Sequence, residues 1–261
     1  MGKKIKIAII GLGLIGGSIY KSLDKRKYEV IAISKSQKGK NIFDKIENVK
    51  NSDIVFICSN MSETQNVLDE LDKILDKKTI VADTCSIKSF LEEKDYSFDF
   101  IMSHPMAGTE KSGYSASFKG LFKDAKWVIT KDNKTLKKII KDLGAKPVLM
   151  DKITHDKTTA LISHMPNILS CALFDMIKDN KDAKLLASSG FRDMTRLAMS
   201  NENLIADMFE YNEENILHAL NKLQESINKF KKMPRDEKME LIKDNAKKRK
   251  EMYKNGKNTT N

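Results

Sequence analysis

The sequence predicts an α/β domain built on a mostly parallel sheet, followed by an all-helical domain. Three observations carry this. Short β-branched runs alternate with helical stretches through the first 150 residues, those runs are apolar almost throughout, and no strand pattern remains after Met150. Near-continuous apolar strands separated by helices belong to a covered parallel sheet made of βαβ units. The boundary is placed at 150, giving domains at residues 1–150 and 151–254 and a polar tail at 255–261 that is expected to be disordered.

Taken in order, "KIAIIG" (residues 6–11), "EVIAIS" (29–34), "DIVFIC" (53–58), "TIVADT" (79–84), "FDFIMSH" (98–104) and "AKWVIT" (125–130) read as strands. "KPVLM" (146–150) reads as another, and residues 15–23 and 63–75 are helical stretches between strands. In the second domain apolar residues recur at helical spacing. Ile216, Leu220, Leu223 and Ile227, for example, mark one face of an amphipathic helix.

Composition excludes several classes. The chain has 261 residues, 40% hydrophobic and 32% charged, and nothing in it approaches 18 consecutive apolar residues, so a soluble protein without a membrane span is expected. The opening "MGKKIKIAII" runs into "GLGLIGGS" rather than a small-residue cleavage site, which argues against a signal peptide. Three scattered cysteines, Cys58, Cys85 and Cys171, fit reduced thiols in the cytoplasm, and they show no metal or disulfide spacing. The net charge is +11, but residues 229–261 hold twelve Lys/Arg against five Asp/Glu, most of that excess. With no basic–aromatic interleaving, a solvated C-terminal helix is expected rather than a nucleic-acid surface.

"IAIIGLGLIGGS" places Gly11, Gly13 and Gly16 in G-x-G-x-x-G, directly after a strand and opening a helix. In the Rossmann-like dinucleotide fold the first glycine makes the tight turn, the second admits the pyrophosphate, and the third lets helix and strand pack closely. Leu14 and Ile15 lie between those glycines at the helix start, so all five residues are assigned to cofactor binding. The second strand of such folds ends in the Asp or Glu that holds the NAD ribose. Here it ends in Ser34, followed by Lys35, Ser36 and Lys38. A missing carboxylate beside cations removes repulsion of a 2′-phosphate, so the cofactor is NAD or NADP, leaning to NADP through Ser34 and Lys35. The plainer alternative is that these lysines are ordinary surface charge.

"FDFIMSHPMAGTEKSG" runs off a strand into a loop, which would aim His104 at the crevice by the strand carboxyl ends. "ADTCSIKS" leaves another strand and offers Ser86 and Lys88 to the same crevice. A histidine there can take the proton of a substrate hydroxyl as hydride leaves the carbon; the alternative is a structural histidine bonded to backbone. His155 and His164 are nine residues apart, too far for a single-turn zinc pair, and no metal is expected. Arg192 and Arg196 stand at i and i+4 and could share a helix face, either as a carboxylate clamp or in surface pairing with Asp193.

The segments "GLGLIGGS", "DTCSIKS", "SHPMAGTEKSG", "HDKTTALISHMP" and "GFRDMTRLAMS", in this order, resemble the prephenate and arogenate dehydrogenase family, the oxidative enzymes of tyrosine synthesis. The resemblance covers about residues 4–230, and "HPMAGTEKSG" is its most specific part. It implies a nicotinamide-dependent oxidative decarboxylation, in which the ring carbon bearing the hydroxyl gives up hydride, the ring carboxylate leaves as CO2 and the ring becomes aromatic. By motif, His104 would take the hydroxyl proton, Ser86 would orient the hydroxyl and His104, and Arg196 would bind a substrate carboxylate. His164 would line the pocket near the side chain, and Thr109 and Glu110 would shape its mouth. The substrate would be prephenate, giving 4-hydroxyphenylpyruvate, or arogenate, giving tyrosine directly. A homodimer through the helical domain is implied, and a chain of 261 residues is expected to hold no chorismate mutase or ACT-like domain.

The sequence departs from the family pattern at Asn167, where many members carry a second histidine, and at Ile205, where a tryptophan is common. Ser34 replaces an aspartate, and the stretch after the second strand is about ten residues short. A hydroxyacid dehydrogenase or imine reductase of the same architecture would lack "HPMAGTEKSG". A nucleotide sensor or nucleic-acid binder would have no use for Ser86, His104 and Arg196 together.

Overall fold

The computed structural model describes residues 4–109 and 111–254. Strand β1 (Ile5–Ile10) leads through Gly11 into helix α1 (Leu14–Ser22), and β2 (Tyr28–Ile33) pairs with β1 in parallel. A two-residue strand, β3 (Ile42–Phe43), follows without any intervening helix, and a 3₁₀ turn at Ile46–Val49 leads to β4 (Ile54–Ile57). Helix α2 (Met61–Asp72), β5 (Ile80–Asp83) and β6 (Asp99–Ile101) complete a sheet of order β3-β2-β1-β4-β5-β6, every pair parallel. The short outer strand β3 is where the sequence is short, so one helical crossover of the usual doubly wound plan is missing.

The period of two decides the core. Ile7 and Ile9 on β1 join one apolar cluster with Phe56, Trp127 and Ile139; Ala8 and Ile10 join a second with Val55, Ile57, Leu68 and Leu71. Both faces of the central strands are thus buried, which is why they read as unbroken apolar runs.

The run at residues 98–104 is not one strand. It breaks at Met102 into β6 and β7 (Ser103–Pro105), which lie in different sheets. β7 pairs antiparallel with β8 (Lys126–Ile129), and after helix α3 (Lys134–Asp142) strand β9 (Lys146–Leu149) pairs parallel with β8. The expectation of a single strand fails because apolar content cannot distinguish one strand from two that change sheets. Trp127, fully buried, packs on Phe56 and Phe122, joining the small sheet to the large one.

All regular structure from residue 152 onward is helical among the described residues. Helix α4 (Lys152–Thr159) starts at Asp151, whose carboxylate accepts from the Thr154 N–H. It passes through a π turn at Ala160–His164 into α5 (Met165–Asp175), where Pro166, with no N–H to donate, sits in the first turn. Helices α6 (Lys181–Leu186) and α7 (Ser189–Thr195), a 3₁₀ turn at Arg196–Met199, α8 (Glu202–Lys232) and α9 (Arg235–Lys254) follow. By internal contacts the chain divides into two compact units, Met1–Ile216 and Leu217–Asn261. The residue range 255–261, expected to be disordered, lies outside the described residues. Among the described residues no helix is long and apolar enough to cross a membrane.

Candidate active site

The glycine loop is built by close contact. Gly11 has φ +91°, and a side chain there would also meet the Cys58 carbonyl oxygen at 2.7 Å. At Gly16 a Cβ would come within 2.0 Å of the Gly11 carbonyl oxygen, so helix α1 can press on the loop only without one. Gly13 differs: no described atom lies within 4 Å of where its Cβ would be. It is the N-cap of α1, without a side-chain cap and with no acidic residue in the first turn. The free N–H groups and positive helix end therefore face an open surface, as binding of an anionic pyrophosphate requires. Leu14 and Ile15 are half-buried at that helix start. Ser34 directly follows β2 and is buried, its Oγ accepting from the Gln37 N–H at 3.0 Å, while Lys35 is exposed beside it. No carboxylate occupies the position that would hold a ribose hydroxyl.

His104 lies at the centre of β7, opposite Val128, rather than in a loop. The strand places it at the carboxyl edge of the parallel sheet. The preceding residue, Ser103, donates from N–H to Asp83 Oδ1 at 2.8 Å and from Oγ to the Asp83 carbonyl at 2.5 Å. Asp83 is the last residue of β5, two strands from β1 and its glycine loop. Lys88 is fully buried, paired with the Asp83 carboxylate and donating to the Ser103 carbonyl at 2.7 Å.

Behind His104 stands α4. His104 Nδ1 lies 3.0 Å from His155 Nε2, and His155 Nδ1 lies 2.7 Å from Asp156 Oδ1. The Asp156 carboxylate also accepts from the N–H groups of Lys88 and Ser89, at 2.9 and 2.7 Å. Burial alone would raise its pKa; the bonds from His155, Ser89 and Lys88 outweigh this and hold it below the usual carboxylate value. Removal from water, and then the nearby His155, Lys88 and His164, depress the His104 imidazole well below 6.5. His104 is therefore neutral at physiological pH, the state a proton acceptor needs.

His164 is fully buried at the end of the π turn, and burial takes its pKa down to about 4. Its Nδ1 is 3.2 Å from Asn212 Nδ2, which also donates to the Asp156 carbonyl at 3.0 Å. Asn212 leaves helical geometry (φ −142°, ψ 24°) within α8, and that kink turns it onto both groups. Asn167 is nearly buried and ties α5 to Ser200, whose hydroxyl it accepts at 2.8 Å. Ile205 is half-buried on α8. Arg196 is exposed and forms no ion pair among the described residues. The helix breaks at Thr195, so Arg192 and Arg196 do not share one α-helical face as the i, i+4 spacing suggested.

The expected contact between Ser86 and His104 is not formed. The Ser86 hydroxyl donates to the Met61 sulfur at 3.6 Å, and the partner of His104 is His155. Thr109 is exposed, with its hydroxyl bonded within its own turn to Lys111. Glu110 lies outside the described residues. The sequence does not single out Asp156, Asp83 or Asn212, and it raises His155 only with His164, as a zinc pair. The adjacent His155-Asp156 pair inside "THDKTTALISHMPN" is the available signal. A cleft of about 670 Å³ lined by Glu92, Tyr96, Phe100 and Lys131, among others, contains none of the expected site residues.

A family model described as "Prephenate dehydrogenase, nucleotide-binding domain" matches residues 19–149, and one described as "Prephenate dehydrogenase, dimerization domain" matches residues 151–248. The prephenate dehydrogenase of Lactococcus lactis subsp. cremoris is 32% identical over 247 residues, covering 86% of this chain and 70% of the relative. Among solved structures, Synechocystis arogenate dehydrogenase superposes with a TM-score of 0.81 at 28% identity, covering 95% of this chain and 100% of that one. Prephenate dehydrogenase from A. aeolicus, in complex with hydroxyphenyl propionate and NAD+, superposes with a TM-score of 0.83 at 26% identity, covering 96% and 99%.

Proposed function

The chain belongs to the prephenate dehydrogenase family and is a nicotinamide-dependent dehydrogenase, and we propose that it oxidatively decarboxylates prephenate, with arogenate as the alternative substrate. The observation that carries the site reading is a neutral, half-buried His104 at the carboxyl edge of the parallel sheet. The open N-terminus of α1 lies on the same edge, two strands away. A bound nicotinamide cofactor supplies the hydride acceptor. Gly11, Gly13, Leu14, Ile15 and Gly16 would hold its pyrophosphate end.

In this reading His104 takes the proton of the ring hydroxyl as the carbon beneath it loses hydride. Loss of CO2 follows as the ring becomes aromatic, so the protein needs no further acid for that bond. Lys88 supplies a fixed positive charge near His104, held by Asp83. Arg196, exposed and without an ion pair among the described residues, is suited to a substrate carboxylate, and its guanidinium fork fits that group's planar shape. Ser86 would turn from Met61 to the substrate hydroxyl, a rotation about one bond. His164 would border the side-chain pocket, with Thr109 and Glu110 at its mouth.

Three finer statements belong to the same proposal. NADP is favoured over NAD by the absent carboxylate at Ser34 and the exposed Lys35. A homodimer is favoured by apolar side chains open to solvent in the helical part, including Ile162, Met176, Leu185 and Leu186. A cytoplasmic location is consistent with three free cysteines, the two inner ones with thiol pKa values raised to about 12 by burial.

Initial rates of the purified protein with prephenate and arogenate, each with NAD+ and NADP+, test the reading. Turnover of either substrate supports it, and turnover of neither ends it. The companion variant His104→Asn should lower turnover by about 10² or more with cofactor affinity nearly unchanged. Equal turnover would remove the proton acceptor.

A further inference from the structure

We infer that His155 and Asp156 form a positioning relay that sets the tautomer of His104 and receives the positive charge when His104 takes a proton. The inference rests on His104 being the proton acceptor proposed above, and it concerns how that role is held in place.

The argument starts from Asp156. Its carboxylate accepts from two backbone N–H groups, Lys88 at 2.9 Å and Ser89 at 2.7 Å, so it is ionised and has only lone pairs to offer. His155 Nδ1, 2.7 Å from Asp156 Oδ1, must therefore carry a proton. In a neutral His155 the other nitrogen, Nε2, is then a bare acceptor. His104 Nδ1 lies 3.0 Å from it, so the His104 proton sits on Nδ1 and Nε2 is left with a free lone pair. No local feature of His104 could decide this. The choice of nitrogen is made by a residue 51 positions away, and that residue is oriented by its own neighbour.

The same chain of contacts accounts for the charge. When the substrate O–H bond breaks, a bond forms from that hydrogen to His104 Nε2, and the ring becomes cationic. The charged and titratable groups facing it are Lys88 from the turn after β5, His155 from α4 and His164 from the π turn, none of which supplies His104 with a counter-charge. Moving the Nδ1 hydrogen of His104 onto His155 Nε2 breaks one N–H bond and forms another. The cation is then on His155, in contact with the Asp156 carboxylate. Asp83 cannot serve in that place because it is already paired with Lys88. Substrate hydroxyl, His104, His155 and Asp156 thus form one path with no atom or electron unaccounted for.

The chain has only four histidines, which makes ¹⁵N-histidine NMR of the intact wild-type protein a direct test. At pH 7–8, His104 and His155 should each carry hydrogen on Nδ1, with Nε2 unprotonated, and assignment comes from His104→Asn and His155→Gln. A His104 with hydrogen on Nε2 overturns the relay. Kinetics give a second reading: His155→Leu should lower kcat by about 10² with KM and cofactor affinity near wild type, and His155→Gln, whose amide oxygen can accept from Nδ1–H, should recover part of it. Asp156→Asn should move the acid limb of the kcat/KM profile to lower pH, because the protonated pair loses its counter-charge. An unmoved acid limb, or equal loss in the two His155 variants, overturns the inference. These outcomes are separate from an active His104→Asn, which would remove the proton-acceptor reading itself.

Discussion

The Lys88 ammonium pairs with the Asp83 carboxylate where both side chains are fully buried, and the same nitrogen donates to the carbonyl of Ser103, next to His104. One ion pair thereby ties the end of β5 to the strand that carries His104. A buried charge left without its partner is costly, whereas an exposed pair contributes little. Lys88→Met should therefore destabilise the protein by about 3–5 kcal/mol, measured by urea unfolding. A loss below about 1 kcal/mol would mean that Asp83 finds another partner.

Gly13 and Gly16 should respond in opposite ways to one added methyl group. Gly16→Ala forces a Cβ to 2.0 Å from the Gly11 carbonyl oxygen, and neither backbone can yield cheaply. Thermal unfolding should show a loss of about 2 kcal/mol or more. Gly13→Ala meets nothing within 4 Å among the described residues, so Tm should hold. The added methyl group would instead intrude on the pyrophosphate, weakening cofactor binding by about tenfold or more in titration. Unchanged affinity would remove Gly13 from the cofactor site.

Ser34→Asp should shift the ratio of kcat/KM values toward NAD+ by about tenfold, since a charge-assisted bond to a ribose hydroxyl is worth about 1.5 kcal/mol. The Oγ of the buried Ser34 already accepts from the Gln37 N–H, and an aspartate oxygen can take over that bond. An unaltered ratio would end the reading of this loop.

Arg196→Ala should raise KM for the dicarboxylate substrate by about 10–100-fold while leaving KM for the cofactor unchanged. Because Arg196 is exposed and lacks an ion pair among the described residues, its loss should not lower Tm. A lowered Tm with unchanged KM would return it to a structural role.

His164 makes stability depend on pH. Burial holds its folded pKa at about 4, below the ordinary 6.5, so unfolding takes up a proton at any pH between these values. The stabilisation is full above pH 6.5 and is lost as pH falls toward 4. Between pH 7 and 5 the unfolding free energy should drop by about 2 kcal/mol from this residue, with His104 adding in the same direction. His164→Gln should flatten that part of the slope; an identical slope would assign the effect elsewhere.

Apart from the two-residue β3, the strands of the parallel sheet, the glycine loop and the helical second half could be read from the chain alone, because each depends on short-range rules. Apolar runs such as Ile54–Ile57 declare two-sided burial, and helical spacing declares α8. Gly11 and Gly16 declare close approach of backbone to backbone. Its place at a strand end marked His104, and motif order pointed to the family matched over residues 19–149 and 151–248.

What surrounds His104 was decided by tertiary structure. The break at Met102 that sends β7 to a second sheet follows from its pairing with β8, some 25 residues away. The Asp156 carboxylate reaches the Lys88 N–H across 68 residues, and His155 reaches His104 across 51. Nothing in the local pattern of either partner encodes such a meeting. Ser86 turns to Met61 rather than to His104 for the same reason, since rotamers answer to the neighbours packed around them. The sequence by itself determined which elements form and which chemistry is available. Only the packing of α4 against the sheet edge decided that His155 meets Nδ1 of His104.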